Sequence, residues 1–549
     1  MLTVTNRWEE LFEGESLTAL AETLPIALKT KRWFGGKARQ IAATSIAEVV
    51  PFELETMKSI LLLVQVAYAD GGRETYQLPV TAAFGDEATS IRETYPQAIL
   101  TAVTVGGRGR RIEGLLYDAM WNGIFAYSLL HAIERGAKFF GKSGTVAASP
   151  TNSYPELVRS ELPLDPAVMK GEQSNTSVAF GEQVILKLYR RLEEGTSPDF
   201  EIGRALTGMR FPYVPAIAGA IEYRRTSGEP VTLGLLQRFV RNDGDAWRHS
   251  LDAVDRFMLR ILGGQTRYEP PPQAVRSLLD VAREEYHPMA RKLIGLYLES
   301  AERLGRRTAE LHVALSQVSG DPAFVPEPLG EEYRQACYDR MAHSASDTFN
   351  LLQQRISHLS EIGQAKARRI FDQRTVIDRI YTSFRDLDIP VARIRCHGDY
   401  HLGQVLSTGP DFMIIDFEGE PARPLVERRM KHPAMVDVAG MVRSFHYAPF
   451  AFLEGKRKGV AVASHDVPQQ AILWARFWAT WTSGAFLKAY LSIANGTRFW
   501  PQDEKVVRLL FNVYVIEKAV YELGYELNNR PDWVEIPLGG LHDIVESLV

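Results

Sequence analysis

The stretch from Cys396 to Glu420, CHGDYHLGQVLSTGPDFMIIDFEGE, carries three oxygen-bearing side chains, Asp399, Gln404 and Asp416. Two carboxylates and a carboxamide are acceptor groups, suited to taking a proton or holding a hard cation. Asp399 and Gln404 lie in a polar segment broken by Gly398 and Gly403, which predicts a loop rather than a helix. The run Phe412-Met413-Ile414-Ile415 is short, apolar and followed at once by Asp416-Phe417-Glu418-Gly419. That pattern predicts a buried strand ending in an acidic turn. Strand ends and adjoining loops are where a rigid scaffold holds reactive groups in fixed positions.

An Asp, a carboxamide five residues on, and a second Asp closing the next strand resembles the catalytic segment of protein kinases. In that scheme the first Asp accepts the substrate hydroxyl proton, while the carboxamide and second Asp hold magnesium. The resemblance implies Asp399 as the base and Gln404 and Asp416, joined by Glu418, as Mg²⁺ ligands. Here the loop reads HGD rather than HRD, the carboxamide is Gln, and the strand ends in DFE rather than DFG. Those departures resemble the small-molecule kinases of the aminoglycoside phosphotransferase type. HGDYHLGQVL followed by IDFEGEP is similar to the bacterial maltokinases, which make maltose 1-phosphate from maltose and ATP. Asp-x-x-x-x-Gln alone is common by chance, so the whole 25-residue constellation carries the reading. His397 and His401 have the i, i+4 spacing of a helical zinc site, but Gly398 and the missing HExxH glutamate oppose it. His397 is instead assigned to orienting the loop on the substrate side of the site.

Other elements must bring a nucleotide to this loop. Met169–Phe180 (MKGEQSNTSVAF) and Val184–Leu188 (VILKL) read as two strands joined by a turn. The resemblance implies that Ser174, Asn175, Thr176 and Ser177, with Gln173, replace the phosphate-covering glycines of protein kinases; a plain polar hairpin fits the residues as well. Lys187 stands in an otherwise apolar strand, and Glu201 follows fourteen residues later at the start of a helical pattern. That is the layout of the kinase Lys–Glu pair, in which Lys contacts the α- and β-phosphates. An edge-strand lysine and a first-turn glutamate favoured by the helix dipole is the competing account. Gln237, Phe239 and Val240 occupy the place of the segment whose backbone pairs with adenine.

Downstream, Leu251–Leu262, Met289–Leu315 and Tyr333–Ile356 place apolar residues three and four apart and predict helices. Asp437 opens a further helical pattern, where it either supports the catalytic loop or acts as a plain helix cap. On the helix within Glu517–Pro537, Lys518, Tyr521, Glu522 and Tyr525 fall on one face. Aromatic faces with charged ends suit a sugar; an amphipathic surface helix fits equally. Maltokinases carry a similar KAVYE…YE…NRP segment in the disaccharide pocket, which implies substrate roles for Lys518, Tyr521 and Tyr525.

The chain has 549 residues, enough for two or three subdomains. A net charge of −4 and the lack of a long Lys/Arg run give no nucleic-acid signature. Two cysteines, Cys337 and Cys396, fit a reducing cytoplasm without a disulfide framework. The N-terminus lacks a signal-peptide layout, and Ala471–Ala494, interrupted by Arg476 and Lys488, reads as a core helix rather than a membrane span. Residues 1 to about 30 read as helical, Asp70-Gly71-Gly72 as a hairpin turn, Gly106-Gly107-Arg108-Gly109 as a basic hairpin tip, and Ala147–Asn152 as an edge loop. Lys31-Arg32-Trp33-Phe34-Gly35-Gly36-Lys37 reads as a packed aromatic anchor, and maltokinases carry a similar RWFGGK segment.

The expected fold is α+β, a bilobal protein-kinase-like fold with a β-rich cap (1–150), a nucleotide-binding N-lobe (151–240) and a mostly helical C-lobe (241–549). The expected function, implied by the resemblance, is ATP- and Mg²⁺-dependent phosphorylation of maltose at its anomeric hydroxyl. A glucosamine or aminoglycoside kinase of the same fold is the first alternative, and a non-catalytic partner of trehalose synthase the second. Expected partners are a small sugar and, through the resemblance, trehalose synthase; neither nucleic acid nor membrane is expected.

Overall fold

The computed structural model describes residues 2–54, 57–106, 111–159, 164–169, 174–262, 268, 276–388, 390–455 and 469–548. Gly107-Arg108-Gly109 and Gln173 lie outside the described residues. The architecture is mixed α+β, β-rich toward the N-terminus and helical toward the C-terminus. The chain divides into two compact units, residues 1–210 with 215–241 and residues 211–214 with 242–549.

The first unit holds two seven-stranded sheets. One runs in the order Leu2–Val4, Ile99–Val105, Ile112–Asp118, Arg73–Phe84, Met57–Tyr68, Ile41–Leu54, with Arg191–Leu192 pairing onto Arg73–Phe84. Met57–Tyr68 and Arg73–Phe84 form the hairpin that Asp70-Gly71-Gly72 turns. Gly71 takes φ +87° and the Asp70 carboxylate accepts the Gly72 N–H at 3.0 Å. The helix expected from residue 1 begins only at Gly14, after a short strand and a 3₁₀ turn, and buries Leu20, Leu24 and Leu28. In the RWFGGK segment Phe34 is buried, with its ring centroid 5.0 Å from that of Tyr76. Gly36 lies so close to the Tyr68 hydroxyl that no side chain fits there.

The second sheet runs Lys138–Phe140, Gly144–Pro150, Ile217–Arg225, Val231–Arg238, Val184–Tyr189, Asn175–Phe180, Pro166–Val168. Gly144–Pro150 is therefore a strand and not the expected edge loop, registered along its length against Ile217–Arg225 with Val146 and Ala148 buried. Strands 138–140 and 144–150 belong to this sheet, so the cap sheet takes its last strand before the connecting helix at Ile112–Asp118. The sheets are pinned by Arg190, which follows the Lys187 strand. Its guanidinium is fully buried, 2.5 Å from Asp118 of the cap sheet, and donates through Nε to Thr176 at 2.8 Å.

The second unit is built on long helices: Ala246–Leu262, Leu296–Gln317, Glu331–Arg355, Met435–Leu453, Gln469–Ala494 and Glu504–Asn529. The single helix expected over Met289–Leu315 is broken by Gly295 (φ +64°) into Pro288–Leu293 and Leu296–Gln317. Trp474 and Trp478 bury the Gln469–Ala494 helix in the core, and no described helix is long and apolar enough to cross a membrane. Between Leu296–Gln317 and Met435–Leu453 in sequence, the short hairpin Val405–Ser407/Phe412–Ile414 carries the opening motif on its flanks.

Candidate active site

The loop before the hairpin is held from behind by one buried carboxylate. Asp437, in the first turn of Met435–Leu453, accepts the backbone N–H of His397 on Oδ2 at 2.8 Å and that of Gly398 on Oδ1 at 2.9 Å. His312 Nε2 lies 3.0 Å from the same Oδ2, and its Nδ1 lies 2.8 Å from the Tyr490 hydroxyl. Burial disfavours the Asp437 anion, but the His312 hydrogen bond and nearby charges hold its pKa below the ordinary carboxylate value. The helix also grips the loop's far side: the Ser444 hydroxyl accepts the Leu402 N–H at 3.1 Å, and a Cβ on Gly440 would sit 2.5 Å from the Tyr400 carbonyl oxygen.

His397 uses both ring nitrogens on the scaffold. Nε2–H donates to the Ile415 carbonyl at 2.8 Å, while Nδ1 faces the Asp399 N–H at 3.4 Å. Its ring is buried and lies on Phe417 with centroids 4.8 Å apart. It therefore ties the loop to the strand end, and its grouping with substrate-contacting residues is corrected to a positioning role. His401 is likewise used locally, accepting the Gly403 N–H on Nδ1 at 3.0 Å. Burial lowers its pKa, and Nε2 lies 3.8 Å from Asp399 Oδ2.

Gln404 and Asp416 are brought together by the hairpin. The Gln404 carbonyl accepts the Ile415 N–H at 3.0 Å, which sets Asp416 just beyond the paired backbone. Asp416 has φ +68°, a left-handed conformation uncommon for a non-glycine residue and enriched at functional positions. Two residues on, the Glu418 carbonyl accepts from Arg428 at 3.0 Å. The carboxylate oxygens of Asp416 and Glu418 lie within 4.8 Å of each other, and hard oxygen donors of this kind suit Mg²⁺ rather than a soft metal.

Asp399 faces a cavity of about 210 Å³ lined within the second unit by Glu420, Arg340, Arg423, Glu517, Lys518 and Tyr521, among others. Lys518 Nζ lies 3.1 Å from Asp399 Oδ1 and 3.6 Å from Glu420 Oε2, and the Tyr521 hydroxyl donates to Glu420 Oε1 at 2.6 Å. Burial resists ionisation of Asp399, yet Lys518 and the histidines outweigh it and keep its pKa below the usual carboxylate range. Glu420 moves the opposite way, raised by burial and by the Asp399 charge. Burial also opposes charge on Lys518, but the two carboxylates overcome it and raise its pKa.

The cavity face of Glu504–Asn529 is Tyr514, Glu517, Lys518 and Tyr521, spaced i, i+3, i+4, i+7. It thus begins a turn earlier than the expected Lys518–Tyr521–Glu522–Tyr525 stripe. Tyr525 is 43% exposed and outside the cavity lining, packed against the outer side of Tyr521 with centroids 6.3 Å apart, so its substrate assignment is corrected. Glu522 turns to Arg443 at 2.7 Å. The sequence reading missed Glu420, Glu517, Arg340 and Arg423. Of these only Glu420 carried a local signal, as the last acid of DFEGE.

In the first unit, Lys187 is buried in an interior strand of its sheet, opposite Ser177, and donates to Asp199 Oδ2 at 3.1 Å. The same oxygen accepts the Tyr189 hydroxyl at 2.8 Å. Asp199 and Glu201 both lie in the buried first turn of Pro198–Gly208, so Asp199 is a partner the sequence reading missed. Of the supposed phosphate-covering residues, Ser174 is exposed and Asn175 opens a strand, whereas Thr176 and Ser177 are buried strand residues. The Thr176 hydroxyl accepts from Arg190 Nε at 2.8 Å, a bond that leaves its own proton uncommitted. Gln237 lies within a paired strand, and the Phe239 N–H donates to the Gln183 carbonyl at 2.8 Å, so that N–H is not an adenine donor. Val240 follows beyond the strand end.

Comparison with known proteins places these parts. Residues 28–121 match the maltokinase N-terminal cap domain, and residues 285–453 match the phosphotransferase enzyme family. The chain is an enzyme of the phosphotransferase type. The combination of cap and catalytic domain is that of an ATP-dependent sugar kinase. A protein named glucosamine kinase from Mycolicibacterium smegmatis is 24% identical over 379 residues, covering 68% of this chain and 78% of that protein. One of the same name from Streptacidiphilus jiangxiensis is 25% identical, covering 68% and 72%. A solved glucosamine kinase in complex with glucosamine, ADP and inorganic phosphate shares the fold, with a TM-score of 0.60 at 20% identity over 98% of this chain and 99% of that one.

Proposed function

We propose that this phosphotransferase moves the γ-phosphoryl group of ATP to the anomeric hydroxyl of maltose, giving maltose 1-phosphate and ADP. The observation that carries the reading is Asp399, ionised in a cavity that also presents Tyr521, Lys518 and paired charges. In the proposed step Asp399 orients the acceptor hydroxyl and takes its proton as the oxygen bonds to the γ-phosphorus. The bond from that phosphorus to the β–γ bridging oxygen breaks, and ADP leaves. Lys187 is assigned to the α- and β-phosphates. Gln404, Asp416 and Glu418 would hold Mg²⁺, which neutralises phosphate charge when bound. Positioning and electrostatics supply most of the rate in this chemistry, so few residues need act directly.

The maltokinase-type cap supports maltose, and the balanced charge of the cavity supports an uncharged acceptor. The second reading, glucosamine, is favoured by the names of the relatives. Trehalose synthase as a partner and a role in α-glucan synthesis rest on the maltokinase resemblance alone, and a cytoplasmic location on the low cysteine count and the N-terminal layout. Separate incubation with Mg-ATP and maltose, glucose, glucosamine or kanamycin, followed by phosphorus NMR, distinguishes the readings. An anomeric phosphate on maltose is expected; strong phosphorylation of glucosamine beside inert maltose would refute maltose as substrate.

A further inference from the structure

We infer that Lys518 restricts the acceptor to uncharged sugars, its ammonium occupying the carboxylate pair that the ammonium of an amino sugar would need. The inference rests on the phosphoryl-transfer reading above and deepens it by assigning the substrate class to one residue. The cavity contains three carboxylates, Asp399, Glu420 and Glu517, and three cations, Arg340, Arg423 and Lys518. Each carboxylate already has a cation from the chain. Arg340 and Arg423 approach Glu517 at 3.1 and 3.5 Å, and Lys518 lies between Asp399 and Glu420 at 3.1 and 3.6 Å.

Geometry fixes this pairing. Lys518 projects from the same helix face as Tyr521, whose hydroxyl holds Glu420 at 2.6 Å on the oxygen that Lys518 does not approach. Glu420 is thus bound on both sides, and one of its two neighbours is a cation. The surroundings also favour the charged form of Lys518, so its ammonium persists across the working pH range.

An acceptor must bring a hydroxyl to Asp399, whose Oδ1 is 3.1 Å from Lys518 Nζ. A sugar bearing an ammonium one carbon from that hydroxyl therefore places like charges within a few ångströms of each other in a partly desolvated cavity. Repulsion at such range strongly disfavours the charged guest. The same lysine donates freely to a neutral hydroxyl. Specificity here comes from a built-in repulsive element as much as from attraction.

The test compares kcat/KM for maltose, glucose and glucosamine from pH 6 to 9 in the wild type, Lys518→Met and Lys518→Arg. In the wild type the glucosamine-to-glucose ratio is expected to rise with pH as the amine loses its proton, near the α-amino range of about 8. In Lys518→Met the ratio is expected to shift roughly 100-fold toward glucosamine and lose that rise, because a like charge at this range is removed. Lys518→Arg keeps the cation and should keep the discrimination. A ratio compared within one variant is insensitive to any general loss of kcat. An unchanged ratio in Lys518→Met, with maltose still phosphorylated by the wild type, overturns the inference alone. A flat wild-type pH ratio overturns it even if the Met variant fails to fold. A wild type inert toward every sugar refutes the sugar-kinase reading and the inference together.

Discussion

Replacing Asp437 by Asn tests whether the catalytic loop is held from behind. Three donors converge on this carboxylate: His397 N–H and His312 Nε2 on Oδ2, and Gly398 N–H on Oδ1. Asn retains one acceptor oxygen and puts an NH₂ where the other stood. With the oxygen on the Oδ2 side, Gly398 N–H loses its acceptor; with it on the Oδ1 side, two donors do. Orphaning a buried donor costs about 1–3 kcal/mol, and the surviving bonds lose the charge assistance that roughly doubles their strength. The sum is about 3–5 kcal/mol of stability in the helical unit. The loop also loses its positional restraint, and a misplacement of about 1 Å at a reacting group is enough for a ~10²-fold loss of kcat. Denaturant unfolding followed by tryptophan fluorescence, together with kcat at saturating substrates, reads both effects. A pH series adds the sign: a carboxylate whose folded pKa is depressed contributes stability above its unfolded value of about 3.9 and loses it as pH falls through the lower folded value. The wild type should therefore lose this contribution only below about pH 4, and Asp437→Asn should lack that step. An Asn variant with unchanged unfolding midpoint and unchanged kcat would refute the idea that Asp437 holds the loop.

Gly440→Ala approaches the loop by steric means. Its Cβ would sit 2.5 Å from the Tyr400 carbonyl oxygen, so the helix or the loop must shift. We expect kcat to fall ~10-fold or more with nucleotide affinity, measured by calorimetry, nearly unchanged; full activity would mean the loop yields without consequence. Asp399 supplies the third test. Its pKa is held down despite burial, chiefly by Lys518, so the acid limb of the kcat/KM–pH profile, which reports the free enzyme, should lie below the ordinary carboxylate value of about 3.9, provided the fold survives there. An acid limb near pH 6 would contradict that electrostatic arrangement.

The loop, the hairpin and its terminal acids were legible in the sequence because glycines and a four-residue apolar run mark them locally. Lys187 stood out for a similar reason, as a lysine in an apolar strand. Asp199 did not stand out beside Glu201, because both carboxylates lie in one buried helical turn and spacing alone does not separate them. The cavity face of Glu504–Asn529 was misphased for an equivalent reason. Tyr514–Glu517–Lys518–Tyr521 and Lys518–Tyr521–Glu522–Tyr525 both satisfy helical spacing, and only tertiary contacts choose between them. Ala147–Asn152 was read as a loop because Ala, Ser and Pro resemble one in composition, although the strand Gly144–Pro150 runs through its first four residues and buries Val146 and Ala148 between paired strands. Arg340 reaches the cavity from the Glu331–Arg355 helix and Arg423 from the turn that follows Glu420, and no local pattern announces either.

The ion pair between Asp118 and Arg190 has a consequence for how the protein is made. The cap sheet reaches Asp118 early, but the guanidinium that pairs with this buried carboxylate lies 72 residues further on. The cap sheet's additional strand, Arg191–Leu192, arrives with it. At about 5–20 residues per second, a ribosome needs roughly 4–14 s to add that length. Throughout that interval the emerging cap has Lys31 as the cation acting on Asp118, without the guanidinium that hydrogen-bonds this carboxylate, and a sheet short of one strand. The cap cannot finish folding as an autonomous module when it leaves the exit tunnel. It closes together with the Lys187 strand, so translation couples completion of the cap to completion of the nucleotide-side sheet.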